Sequence, residues 1–519
     1  MEKAKMSQES SQKEWIILII FVLVKLFIHL CTNAFASYGI FRDEFYYLAC
    51  SHRLDLGYVD QPPFSIYMLS FSRILFGDSL FALRLLPAVV GSLTVFVTGL
   101  IVRKLSGGLV AMVIGCTSMI AAPIFLGMNT YYSMNCFDIL LWTLAAYILI
   151  LLVKEGNPKY WILLGWIIGL GLLNKIGMIW FAAGLFLAII LTDLRKHLKT
   201  MWPYLTALIA FLIFLPYIIW NLLHNFAHLE FIRNATTLKY ASVTPWDFIS
   251  GQLLILNPVT LPVWLIGLYY YFFNKEGKTF RILGIIYMTA FLILVINGHS
   301  KPEYLSPAYP MLFAAGAVLI EKLSQRRYRA WLKVVTPVSI IIGGLIIAPI
   351  VLPFLPVKTY IQYTERIGIT PESNEAKELS ELPQFYADMF GWENMAKTVS
   401  EVYGSLPDEE KSKTVIYTQN YGEAGAIEYY SRKYELPPVV SSHNNYWIWG
   451  WEHTNEDYQT VIILGGSEED HLSSCEQVEQ AAIIRCTYCM PYENNLPVFV
   501  CRKLKRSLED IWNSEKHFE

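Results

Sequence analysis

Residues 15–63 read WIILIIFVLVKLFIHLCTNAFASYGIFRDEFYYLACSHRLDLGYVDQPP. The first part, 15–30, is an apolar run with the makings of a helix crossing ~30 Å of hydrocarbon. The chain then turns polar and places Asp43-Glu44 and Asp60 in one loop. Acidic side chains near hydrocarbon cost ~2.5–3.5 kcal/mol each at a helix centre, so a cluster at the water–lipid edge marks a candidate site. Upstream, residues 1–14 are polar with three lysines. Ala34-Phe35-Ala36 is a weak cleavage site, so an uncleaved first helix is expected rather than a signal peptide.

The remainder of the chain repeats this pattern. Of 519 residues, 54% are hydrophobic and 16% charged, with mean hydropathy +0.39. A net charge of −2 without a basic stripe excludes a nucleic-acid footprint. Apolar stretches at 16–34, 81–102, 109–126, 135–153, 160–173, 176–192, 203–221, 256–273, 280–297, 306–320 and 334–352 predict an α-helical polytopic membrane protein of about eleven spans. Every second loop is basic: Arg103-Lys104, Lys154 with Lys159, Arg195-Lys196 with Lys199, Lys275 with Lys278 and Arg281, and Arg326-Arg327 with Arg329 and Lys333. These loops belong in the cytoplasm with the N-terminus. Loops 35–80, 222–255 and 298–305 then lie outside, with residues 353–519.

In the first outer loop, 43–56 and 64–76 read as two amphipathic helices on the outer membrane face, separated by Gly57 and Pro62-Pro63. Residues 1–352 form the membrane domain and 353–519 an extracytoplasmic one, its α/β part spanning about 375–503. Runs 414–417 and 461–464 read as buried strands, and 422–434 as the helix after the first. Cys31, Cys50, Cys116 and Cys136 sit in or near apolar spans, where cysteine behaves as a small hydrophobe. Cys475, Cys486, Cys489 and Cys501 allow two disulfides in three connectivities; zinc is disfavoured, because Cys486-x-x-Cys489 has no second matching pair.

Asp43 and Glu44 have a plain reading, since acids at a helix start are stabilised there. The chemical reading is a general base, an ionised carboxylate within hydrogen-bond reach of an acceptor hydroxyl. Two neighbours on one turn cannot face one point, so one is expected to be the base and the other structural. Tyr58, Asp60, Gln61, Pro62 and Pro63 read first as a turn. The tandem proline also fixes the backbone and would hold Asp60 near the first carboxylates. Asp60 and His224 together offer oxygen and imidazole to a divalent metal such as zinc, manganese or magnesium. Standing alone, His224 is an ordinary interfacial histidine.

The stretch FRDEFYYLACSHRLDLGYVDQPP (41–63), followed by LFALRLLPAVVG (80–91), resembles the first outer loop of family 39-type membrane glycosyltransferases. That group includes the protein O-mannosyltransferases and the lipid A aminoarabinose transferase. GLGLLNKIGMIW (169–180), WNLLHNFAHLEF (220–231), KPEYLSPAYPMLFAAGA (301–317) and YTQNYGEAGAIEYYSRKYELPPVVSSHNNYWIWG (417–450) extend the resemblance over nearly the whole chain. It implies the C-type glycosyltransferase fold. It also implies transfer of a sugar from a polyprenyl phosphate to a glycan, lipid or protein acceptor outside the membrane, usually with inversion. Carried over by position, Asp43 is the catalytic acid with Glu44 beside it, Asp60 the acid before the proline pair, and His224 a metal-binding histidine of some relatives. The aminoarabinose branch carries phosphate-touching Arg and Lys where this chain has Tyr46 and Gln61, which argues against that branch. The leaving phosphate then needs other cations. Arg42, Arg53 and Arg84 are on the outer side, with Lys175, Arg233 and Lys301 the chief candidates; Lys175 could instead snorkel, and Lys301 could pair with Glu303.

Two rivals belong to other classes. Eleven spans fit a transporter or lipid-linked sugar flippase, but the chain lacks the paired halves with matching broken helices that point to alternating access. A silent outer scaffold would leave the proline-ordered acidic loop without a purpose.

Overall fold

The structure, a computed structural model, describes residues 2–371, 377–451, 458–505 and 512–519. Each apolar stretch folds as helix. Among the described residues, six helices are long and apolar enough to cross a membrane: Ser11–Phe35, Leu80–Lys104, Met134–Glu155, Trp202–Leu223, Gly277–Asn297 and Arg327–Val351. Two helix pairs, Met178–Leu191 with Asp193–Lys199 and Pro245–Ile255 with Pro258–Phe273, reach that length only together and are bent by 96° and 95°. The second bend has a local cause: Pro258 has no N–H for the helix, and Asn257 before it takes φ +65°. The expected spans at 109–126, 160–173 and 306–320 are helices Leu109–Ala121, Lys159–Asn174 and Tyr309–Ser324. Their 13 to 16 residues reach only about 20–24 Å at 1.5 Å per residue. The eleven stretches are therefore helical, while six to eight have membrane-crossing length.

Helix Tyr309–Ser324 is buried almost throughout and forms the centre of the bundle. A Cβ on Gly316 would fall on the Val263 carbonyl, and one on Gly267 on that of Leu312. The two glycines let helices Leu261–Phe273 and Tyr309–Ser324 approach backbone to backbone, the usual device where lipid supplies no hydrophobic force between helices.

The soluble domain is built on a five-stranded mixed sheet of order β2-β1-β3-β5-β4. Strands β1 (Thr414–Thr418), β2 (Val439–Ser441) and β3 (Thr460–Leu464) are parallel; β4 (Cys475–Ile484) and β5 (Leu496–Leu504) are antiparallel. The strands read from the sequence are β1 and β3, in register Thr414↔Thr460, and the expected helix is Tyr421–Tyr434. One disulfide, Cys475–Cys501, joins the two antiparallel strands. Cys486 and Cys489 remain thiols, which corrects the expectation of two disulfides.

The first outer loop departs from expectation at one helix. Helix α2 (Arg42–His52) buries nine of its eleven residues, because the Tyr421–Tyr434 helix covers it. It lies in the seam between bundle and soluble domain, not on the membrane face. Helix α3 (Phe64–Phe76) does expose an apolar end at Phe71, Ile74, Leu75 and Phe76, as an interfacial helix should. An aromatic cluster of Tyr38, Phe41, Tyr131, Tyr360 and Tyr386 closes the seam beside α2, and the Arg42 N–H bonds the Asp388 carbonyl at 2.9 Å.

Candidate active site

The two carboxylates at the start of α2 separate cleanly. Glu44 turns inward with no exposure. Its oxygens accept the Phe41 N–H at 2.9 Å, the Tyr132 N–H at 2.8 Å, and two bonds from Arg84 at 3.1 and 2.8 Å. Arg84 is itself buried and also bonds the Gly39 carbonyl. Glu44 therefore ties the α2 start to helix Leu80–Lys104 and has no capacity left for a substrate. Asp43, one residue earlier and rotated about 100° on the helix, keeps a side chain 37% exposed. Its Oδ1 accepts the Tyr421 hydroxyl at 2.8 Å and lies 3.4 Å from Arg42 Nε. Oδ2 takes no hydrogen bond from the described residues.

Asp60 is held close by. Tyr58 N–H bonds the Gln61 carbonyl at 3.0 Å and closes the turn that Pro62-Pro63 stiffens. Tyr46 hydroxyl stands 3.1 Å from Asp60 Oδ1 and 3.2 Å from Asn445 Oδ1, and Asn445 Oδ1 accepts the Val59 N–H at 2.7 Å. Burial pushes the Asp60 carboxyl up to about 7, and the charge of Asp43 adds to the rise. Each carboxylate is thus in the field of the other. Gln61 is wholly buried beneath the turn.

The cations do not all converge. Lys175, in extended backbone after helix Lys159–Asn174, donates to Asn135 Oδ1 at 2.7 Å and lies over the Tyr304 ring at 5.0 Å, with Asp138 4.0 Å away. Lys301 lies over Tyr240 at 4.9 Å. Lys175 feels both Lys301 and Glu303, and Tyr131 feels both Glu303 and Asp43. Arg233 is exposed on helix Ala227–Asn234. Arg42 is taken by Tyr492 at 2.9 Å and Asp388 at 3.6 Å, Arg53 by Glu428 at 2.8 Å.

His224 and Asp60 bond different partners. His224 stacks on Trp220 at 4.2 Å, and its Nδ1 is 2.8 Å from the Trp220 carbonyl. The histidine that reaches the Asp60 loop is His228, on the Val59 carbonyl at 2.9 Å. Among the described residues no group of three or more His, Cys, Asp or Glu could hold a metal ion. Asp60 and His224 by themselves do not make up such a group.

Sequence reading missed three residues that shape the site, Tyr421, Asn445 and Lys239, the last 5.7 Å over the Tyr421 ring, and gave Tyr46 no role of its own. A signal for Tyr421 was present. It follows the carboxyl end of β1, where the sheet order turns to β2 on one side and β3 on the other, the place where open α/β sheets put functional groups. Asn420 caps the helix that starts there, accepting from Gly422 and Glu423 N–H.

Behind this loop, Asn420 Nδ2 bridges Glu423 at 2.8 Å and Glu493 at 3.1 Å. Burial holds both above the carboxylate range, Glu493 at about 7. Folding therefore takes up protons. Their stabilising contribution is full below about 4.5 and is lost as pH rises through about 7. The melting temperature in detergent is expected to fall by a few degrees from about pH 5 to about pH 8. Glu493→Gln should flatten that slope; an unchanged slope would place its source elsewhere.

Residues 60–220 match the family model described as dolichyl-phosphate-mannose-protein mannosyltransferase. No curated protein sequence matches the chain. Among solved structures, ArnT from Cupriavidus metallidurans bound to undecaprenyl phosphate superposes with TM-score 0.61 at 12% identity, over 94% of this chain and 98% of that one. The Archaeoglobus fulgidus oligosaccharyltransferase AglB, in complex with an inhibitory peptide and a dolichol-phosphate, gives 0.53 at 14% identity, over 87% and 69%. An Archaeoglobus fulgidus oligosaccharyltransferase tethered to an acceptor peptide gives 0.52 at 16% identity, over 86% and 68%. The chain is a multi-pass membrane protein with the C-type glycosyltransferase fold; residues 60–220 are similar to the mannosyltransferase family model, and the fold as a whole is similar to that of ArnT.

Proposed function

Starting from that fold, we propose that the chain moves a glycosyl group from a polyprenyl-phosphate-linked donor to a hydroxyl of a glycolipid, polysaccharide or protein. The observation that carries the reading is the half-open Asp43 carboxylate, fixed through Oδ1 and taking no hydrogen bond at Oδ2 from the described residues, in the seam above the bundle. Asp43 takes the acceptor's hydroxyl proton as that oxygen attacks the anomeric carbon. The bond from that carbon to the phosphate oxygen breaks on the opposite side. Its electron pair leaves with the lipid phosphate, and configuration inverts. Lys175 and Lys301 meet the departing charge, and Arg233 extends the positive field from its exposed helix face. Undecaprenyl phosphate in ArnT and dolichol-phosphate in AglB support the lipid half of this reading, and the family description supports a sugar as the group moved.

We place the reaction on the outer face of the cell membrane, with the N-terminus cytoplasmic. The basic loops support this orientation, as does the Cys475–Cys501 disulfide, a bond that persists in oxidising compartments.

The test is reconstitution in vesicles with labelled polyprenyl-phosphate sugars and an envelope extract as acceptor. Label is expected on acceptor; label that crosses the bilayer without transfer would make the protein a translocator. In the same assay Lys175→Gln is expected to lower kcat/KM for the donor at least about tenfold, the worth of one charge-assisted contact. Unchanged kcat/KM would remove Lys175 from the phosphate site.

A further inference from the structure

We propose that Tyr421, supplied by the soluble domain, is a positioning residue that aligns Asp43 for proton abstraction. This rests on Asp43 as the base and adds what sets its geometry. A carboxylate 37% exposed on the first turn of a helix has several rotamers open to it. The Tyr421 hydroxyl occupies Oδ1 at 2.8 Å and leaves Oδ2 for the acceptor.

Tyr421 is itself tightly held. Its ring packs on Tyr46 and His443, each at 4.8 Å between centroids. Its N–H lies 3.3 Å from His443 Nδ1, and His443 Nε2 lies 3.0 Å from the Glu519 carbonyl. Burial and the charge of Lys239 push His443 down to about 3, so its ring is neutral. Nδ1 can then accept while Nε2–H donates. Arg42 and Lys239 each lie 5.7 Å over the Tyr421 ring. The same domain steadies Asp60 through Asn445, Tyr46 and Val59. The groups that face Asp43 are Arg42 and Tyr47 of its own helix, Tyr131, Asp60 and Tyr421. Lys239 acts on Asp60 and Tyr421. Among these, Tyr421 gives Asp43 a hydroxyl donor from outside the membrane domain.

The experiment uses full-length protein in nanodiscs. Undecaprenyl phosphate is the binding probe, and turnover is measured with the sugar-loaded polyprenyl phosphate that shows Asp43-dependent transfer. Tyr421→Phe removes one hydroxyl and keeps the ring. It is expected to lower kcat about ten- to a hundredfold, with the KM for donor and the Kd for undecaprenyl phosphate unchanged. Tyr446→Phe is the control: it deletes another buried phenol of the same domain, one bonded to Glu428, and should leave kcat in place. An unchanged kcat, a rise in KM with kcat intact, or an equal loss in Tyr446→Phe would each overturn the role of Tyr421. If Asp43→Asn retained turnover, the proposed reaction would fall instead, so the two failures are distinct.

Discussion

Membranes carrying Asp43→Asn are expected to lose sugar transfer by at least ~10²–10⁴-fold, the range that a positioned general base contributes. The amide is nearly the same shape as the carboxylate, so the Tyr421 hydroxyl can still bond its oxygen and the seam should stay closed. What disappears is the capacity to take a proton. Yield, melting temperature and binding of undecaprenyl phosphate should therefore remain those of the parent protein. Transfer above about a tenth of the parent rate would overturn the assignment of Asp43 as base.

The second large effect is on folding. Arg84→Met leaves Glu44 wholly buried, with its two backbone donors but without its counter-charge. Breaking a buried pair by removing one partner costs about 3–5 kcal/mol, because an uncompensated charge stays behind. That is a large share of an ordinary stability of roughly 5–15 kcal/mol. Size-exclusion chromatography after detergent extraction should show most of the Arg84→Met protein aggregated. Glu44→Gln keeps one carbonyl oxygen, enough for either the Phe41 or the Tyr132 N–H, and leaves Arg84 buried without its counter-charge, so a loss of the same order is expected. A monodisperse Arg84→Met protein with the parent melting temperature would show that the pair is not needed for the fold.

The local features were legible in the sequence because they depend on near neighbours. Apolar runs gave the helices, brief β-branched runs gave β1 and β3, and adjacency on one turn already implied that Asp43 and Glu44 would face different points. The failures are long-range. Helix α2 has the pattern of an interfacial helix, and only the covering Tyr421–Tyr434 helix makes it buried. Asp43 and Tyr421 are 378 residues apart, so no spacing rule links them. His224 and His228 sit one turn apart on the same stretch, and packing on Trp220 rather than sequence decides which one reaches the Asp60 loop. The disulfide depended on β4 and β5 being neighbours, and neither strand was read from the sequence.

The seam also sets a schedule for biogenesis. Asp43 is synthesised early, while the hydroxyl that contacts it belongs to a residue translated hundreds of positions later. On the role proposed for Tyr421, a nascent chain would hold the base without the means to aim it, and the order of synthesis would itself delay turnover.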